Sequence, residues 1–369
     1  MATTVTSKGQ VTIPKQVRDL LGIVPGSQVE FRRTLDGSVM LVPIDSQRRA
    51  DPIERYRGHA GPGLSTDEVM ALTRGLNGEI MTEIGLLQEV GAVMFSNGAR
   101  SIADALVMRR ALSYSTAFNA LVAHRPEDPA LAKGGAMNEG ERAARLGLSG
   151  IPAEAELIMA QRDLALAKLT GARLMLDMLS SAATLGPLRR AKAGNDKIFA
   201  SVSVHHVTLN ESEVEDYRTF AKLSPPLRRE EDRKALVEAV GDGTIDVIVS
   251  GHDPRPAEDK RLPFDEAAFG AAALETLLPA ALMLHFADGV PLLAVLRALT
   301  SRPAEILGLE QGRLKKGAPA DLILVDLDAT YDFDAETLTS KSRNSPFDGR
   351  KLRGKVKRTL VAGETIFGG

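Results

Sequence analysis

Apolar positions follow one rhythm before about residue 45 and another after about residue 76. In the first stretch Val5, Val11 and Ile13 flank the turn-like Ser7-Lys8-Gly9-Gln10. That pattern predicts two short half-buried strands, stopped at Pro14. Lys15 to Leu21 then places Val17, Leu20 and Leu21 on one side of a short helical turn. Pro25-Gly26 turns the chain into Val29-Glu30-Phe31-Arg32, and Asp36-Gly37 signals a hairpin into Val39-Met40-Leu41-Val42. A mostly β segment of about 45 residues buries too little apolar surface by itself, so dimerisation is the expected remedy.

Residues 46–75 are polar and broken by Pro52 and Gly61-Pro62-Gly63, the pattern of a linker. Within it Ser65-Thr66-Asp67-Glu68 opens a helix, Ser65 at the N-cap and Glu68 at the third helical position. From Gly75 onward strand-like and helical patterns alternate. The strand-like runs are Val90–Phe95, Ala120–Ala123, Lys197–Val202 and Ile245–Ser250. The helical ones are Ile102–Tyr114, Ile151–Lys168, Leu274–Phe286 and Pro291–Ala298. Strand and helix in alternation imply parallel βα units. The end of the chain changes character, because Gly317–Asp326 and Thr359–Phe367 are β-rich with turns. They predict an accessory sheet.

Composition narrows the chemistry. The 369 residues are 44% hydrophobic and 25% charged, ordinary for a soluble globular protein with room for two domains. Residues 1–75 hold ten Lys/Arg against eight Asp/Glu, which makes them +2 and leaves −4 of the net −2 to the remainder. With no cysteine, disulfides, thiolate catalysis and Cys-ligated metals are excluded, and a reducing cytoplasm is the expected compartment. No apolar run reaches the ~18 residues of a membrane span, and the start lacks a signal-peptide pattern.

Ser7-Lys8-Gly9-Gln10-Val11-Thr12-Ile13-Pro14-Lys15, with Val17-Arg18, Leu21-Gly22-Ile23 and Pro25-Gly26, resembles the SpoVT-AbrB family of swapped-hairpin DNA-binding homodimers. The resemblance implies that Lys8, Lys15 and Arg18 face DNA, with Arg32 and Arg33 as weaker candidates. Ser65–Gly75 is similar to the toxin-binding tail of VapB-type antitoxins, which implies a PIN-domain toxin as partner.

A second resemblance covers about Ala71 to the end. Met81-Thr82-Glu83-Ile84-Gly85, Met137-Asn138-Glu139-Gly140, Ser224-Pro225-Pro226-Leu227-Arg228, Asp242-Gly243-Thr244-Ile245-Asp246 and Gly317-Ala318-Pro319-Ala320-Asp321-Leu322 are similar to dihydroorotase of the larger bacterial class. That family implies a TIM barrel with a small β-sandwich, zinc at the C-terminal ends of the strands, and interconversion of carbamoyl-aspartate and dihydroorotate. It also implies substrate binding by Asn138 and Arg228. The shared letters Ala71-Leu72-Thr73-Arg74-Gly75 suit both families, so the join falls there, after the family's His-x-His strand.

Taken one at a time, the implied zinc ligands thin out. No His-x-His occurs in the chain. Asn97 stands for the bridging acidic ligand, and Arg125 for the third histidine, with His124 beside it on the opposite face of the strand. His205 matches the fourth histidine. Gly251 replaces the proton-shuttling Asp, leaving Asp253 two residues away as a stand-in. The expectation is that zinc is not bound.

The expected organisation is a SpoVT-AbrB-like domain at 1–45, a linker and toxin-binding tail at 46–75, a partial barrel at 76–309 and β-sandwich strands at 310–369. The fold class is α/β, an incomplete TIM barrel of amidohydrolase type behind a small β-rich domain. The resemblance also implies that the C-terminal sandwich loses the N-terminal strands it packs with in the family, which would leave Leu322–Val325 and Thr359–Phe367 without partners. Three functions compete: a DNA-binding antitoxin-like protein carrying an inactive dihydroorotase-like part, an active hydrolase of cyclic amides, and a non-catalytic scaffold for aspartate carbamoyltransferase.

Overall fold

The computed structural model describes residues 28–33, 39–44 and 83–368. The chain divides into two compact units, residues 1–59 and 60–369. In the first unit the two β-rich runs around Asp36-Gly37 form an antiparallel pair. Strand β1 (Gln28–Arg33) meets β2 (Val39–Ile44) from Gln28↔Ile44 to Arg33↔Val39. The expected strands near Val5 and Val11, the turn of helix at Lys15–Leu21, the helix at Ser65, and Lys8, Lys15 and Arg18 lie outside the described residues.

In the second unit the alternating pattern becomes βα units. Strands β3 (Met94–Ser96) and β4 (Leu121–His124) come first, followed by a small parallel pair, β5 (Met137–Asn138) with β6 (Gly150–Ile151). Then come β7 (Arg173–Leu176), β8 (Ile198–Ser203) and β9 (Val247–Val249). Five of these form one all-parallel sheet in the order β3-β4-β7-β8-β9. All four residues of β4 and all six of β8 are buried, as strands covered on both faces must be.

Alternation sorts their side chains into two clusters. Val122, Leu174, Leu176, Ile198 and Ala200 share a core with Met108, Leu112, Ala160 and Leu164 of the helices Ala105–Thr116 and Glu154–Thr170. Leu121, Ala123, Met175, Phe199 and Val247 point the other way and cluster with Ile306. This curled sheet is the incomplete barrel, with one side against helices and a smaller apolar cluster on the other.

Element boundaries moved where a local signal outweighed the periodicity. The first long helix starts at Ala105 because the Asp104 side chain accepts from the amides of Leu106 and Val107, a cap contributing about 1 kcal/mol. Ile151 belongs to β6, so the next helix begins at Glu154, after Pro152, and ends where Gly171 turns left-handed at φ 71°. The strand expected at Val90–Phe95 is Met94–Ser96.

At the C-terminus, β10 (Leu322–Asp332), β11 (Lys351–Val361) and β12 (Glu364–Phe367) form an antiparallel sheet. This corrects the expectation of unpartnered strands. Leu322 pairs with Leu360 and Thr359 with Phe367, so the two runs satisfy each other's backbone. Their apolar side chains remain unburied: Ile323 is 46% and Leu324 55% exposed. No helix among the described residues is long and apolar enough to cross a membrane.

Candidate functional site

Parallel strands deliver their following residues to one end of the sheet. There a cavity of about 280 Å³ is walled by Arg125 after β4, Asp177 after β7, Ser203, His205 and His206 at the end of β8, and His252 and Asp253 after β9.

A single hydroxyl sets the protonation of its two adjacent histidines. His206 Nε2 lies 3.0 Å from the Pro225 carbonyl, which can only accept, so this nitrogen carries the proton. Its Nδ1 is then a bare lone pair, 3.0 Å from Ser203 Oγ, and takes the hydroxyl proton. Ser203 Oγ, also receiving the His205 amide at 3.2 Å, has no second proton for His205 Nδ1 at 3.4 Å. This arrangement favours the tautomer in which His205 donates from Nδ1 and Nε2 carries no proton. That Nε2 is buried and has no hydrogen-bond partner among the described residues. Burial, followed by His206 and His252, pushes the His205 pKa down to about 3, and burial first of all pushes His206 to about 4. Both rings are neutral near pH 7.

His124 and Arg125 divide as alternation requires. His124 turns outward, its Nδ1 2.6 Å from Asp163 Oδ2 and its Nε2 accepting the Ile102 amide at 2.8 Å. With both nitrogens engaged, His124 is removed from the metal candidates. Arg125 turns inward. Its Nη2 donates to the Ser224 carbonyl and lies 3.7 Å from Met178 Sδ, while its buried Nε has no partner among the described residues. Burial lowers the guanidinium pKa, opposed by Glu127, Asp177, Asp253 and Glu156.

The remaining candidates separate. Asp253 reaches the cavity, but its Oδ2 is 2.6 Å from Arg255 Nη2. The Asn97 amide donates to the Arg100 carbonyl at 3.0 Å. Asn138 and Arg228, the substrate-binding residues implied by the resemblance, are not among the residues that line this cavity. They hold each other, Arg228 Nη1 donating to Asn138 Oδ1 at 2.9 Å and to the Ile151 carbonyl at 2.6 Å. Asn138 also donates to Glu211 at 2.6 Å, and Arg228 Nε reaches Ser180 Oγ, itself a donor to buried Glu156. This polar network ties β5 and β6 to the strand-end loops. Sequence reasoning missed Asp177, Ser203 and Arg255; Asp177 and Ser203 carried the available signal, a polar residue closing an apolar parallel strand.

The donor set does not fit a catalytic zinc pair. Such a centre needs several His or carboxylate ligands converging within about 2.0–2.2 Å of each ion. Among the described residues no three His, Asp or Glu converge in that way. A guanidinium stands in the wall instead, and its charge repels a dication. The wall can hold a small molecule by hydrogen bonds through donors at Arg125 and carboxylates at Asp177 and Asp253.

Comparison with known proteins places these features. A family model described as the amidohydrolase family matches residues 169–366, a dihydro-orotase-like model matches 64–184, and a model described as antidote-toxin recognition MazE, bacterial antitoxin, matches 2–49. The dihydroorotase of Wolbachia sp. subsp. Drosophila simulans is 42% identical over 78% of this chain and 66% of its own length. That of Desulforapulum autotrophicum is 40% identical over 81% of this chain and 70% of its own. The chain thus spans about two thirds of the length of these relatives. Among solved structures, the L-hydantoinase of Arthrobacter aurescens superposes with a TM-score of 0.69 at 25% identity, covering 78% of this chain and 67% of the other.

Proposed function

The chain belongs to the amidohydrolase family, and from that premise we propose that its second unit is a dihydroorotase-like module of pyrimidine metabolism that keeps a polar strand-end cavity without metal-dependent ring hydrolysis. The observation carrying this reading is the Arg125 guanidinium in the wall of the cavity that His205 also lines. Ring opening at an amide needs an activated water and a group to move its proton. Gly251 offers no side chain for the second role, and Asp253 is already paired with Arg255.

The test is turnover. Purified full-length protein, dialysed against zinc and assayed with dihydroorotate and with carbamoyl-aspartate, is expected to show no rate above the protein-free control. Zinc-dependent turnover that His205→Ala abolishes would overturn the proposal.

The antitoxin-like first unit supports a DNA-binding role, with Lys8, Lys15 and Arg18 on phosphates and a homodimer doubling the contacts. A gel shift with the DNA upstream of the gene is expected to show a complex that weakens steeply with salt and is lost in the triple alanine variant. A complex indifferent to both would remove this role. A PIN-domain toxin is the protein partner this type of antitoxin suggests.

A further inference from the structure

A second cavity, of about 590 Å³, lies between the Pro256–Arg261 segment and the 340–344 loop. Five cations line it, Arg255, Lys260, Arg261, Lys341 and Arg343, against one carboxylate, Glu336. Most of that charge is not neutralised locally. Lys260, only 3% exposed, donates to the carbonyls of Thr219 at 2.9 Å and Ala268 at 2.7 Å, groups with no net charge. Arg343 Nη1 is likewise fixed by the carbonyls of Leu338 and Ser340, and its Nε is 4.0 Å from the exposed Glu336. Arg261 and Lys341 have no ion-pair partner among the described residues. Burial above all, and then the nearby Lys222 and Arg255, lower the Lys260 pKa to about 8. Cations pinned by carbonyls into one concave wall form a preorganised receptor for adjacent anionic groups. The half-buried ring of Phe220 adds an apolar face to the same wall.

We infer that this cavity binds a small molecule carrying two or more adjacent phosphates. Arg255 belongs to both cavities, holding Asp253 at 2.6 Å in the first while lining the second, so an anion here competes for the group that pairs Asp253.

Titration calorimetry on the full chain tests the site, with sodium triphosphate, adenosine triphosphate and adenosine as probes. Triphosphate is expected to bind, to weaken between low and moderate salt, and to lose affinity on the order of tenfold in Arg261→Ala/Lys341→Ala. Both residues are exposed, so the core is untouched. The charge-conserving Arg261→Lys/Lys341→Arg pair is expected to stay within about threefold of the parent. Tighter binding of adenosine triphosphate than of triphosphate identifies a nucleotide that uses Phe220; equal binding identifies the phosphate chain alone; both support the site. No triphosphate binding, binding unchanged in the alanine pair and therefore located elsewhere, or adenosine binding as tightly as its triphosphate would each overturn the inference.

Discussion

Ser203 has one hydroxyl proton and two imidazoles against it, and that shortage favours a bare, buried Nε2 on His205. Ser203→Ala removes a donor from one buried ring and an acceptor from the other, so it is expected to lower unfolding free energy by about 1–3 kcal/mol in urea titrations. The same rings make stability pH-dependent. Their folded pKa values, about 3 and about 4, lie below the ordinary 6.5, so between those limits the unfolded chain binds more protons than the folded one. Their contribution is complete above pH 6.5 and is lost as pH falls towards 4, at up to about 1.4 kcal/mol per pH unit for each ring. Urea midpoints measured from pH 7 to pH 5 check this, with His205→Gln/His206→Gln expected to flatten the slope. Strand alternation in the sequence was enough to set His124 and Arg125 on opposite faces. It could not show that Arg125 reaches the cavity, because that depends on the Ser224 carbonyl, 99 positions along the chain.

At the scale of elements, the helix Glu154–Thr170 anchors β4 through one buried carboxylate. Asp163, fully buried, accepts from His124 Nδ1 and from Arg162 Nη2 at 2.7 Å. Asp163→Ala strands a buried imidazole N–H and unpairs a guanidinium, so a loss of about 3 kcal/mol is expected in chemical denaturation. After β9, Gly251 adopts φ 61°, and a Cβ there would stand 3.0 Å from Ser203 Cβ and 3.2 Å from His205 Nδ1. Gly251→Ala should therefore cost about 1–3 kcal/mol and disturb His205, visible as a changed imidazole signal in NMR. An aspartate at this position would meet the same crowding. These elements were legible as βα alternation because parallel strands buried on both faces leave long apolar runs. Their ends were not, since caps and turns follow single residues such as Asp104 and Gly171.

For the whole molecule, the accessory sheet and the helices Leu277–Phe286 and Leu292–Leu299 enclose an apolar groove of about 640 Å³. Ile323, 46% exposed, and Leu314, 88% exposed, both line it. An open apolar surface of this kind takes up hydrophobic dyes. Anilinonaphthalene sulfonate fluorescence is expected to rise with the native protein and to fall severalfold in Ile323→Glu/Leu314→Glu. Undiminished fluorescence would place the dye elsewhere.

Periodicity and turn residues were enough to determine that this chain is a small β-rich segment followed by parallel βα units and a β-rich end, because burial on one or two faces writes itself into the order of residues. Motif residues were enough to determine the two family resemblances. Tertiary structure alone decided that Asn138 and Arg228 bind each other rather than line the cavity, that His205 keeps a free nitrogen while His124 has none, and that cations from 255 to 343 share one wall. Each of these turns on contacts between residues far apart in the chain, and a local pattern carries no record of them.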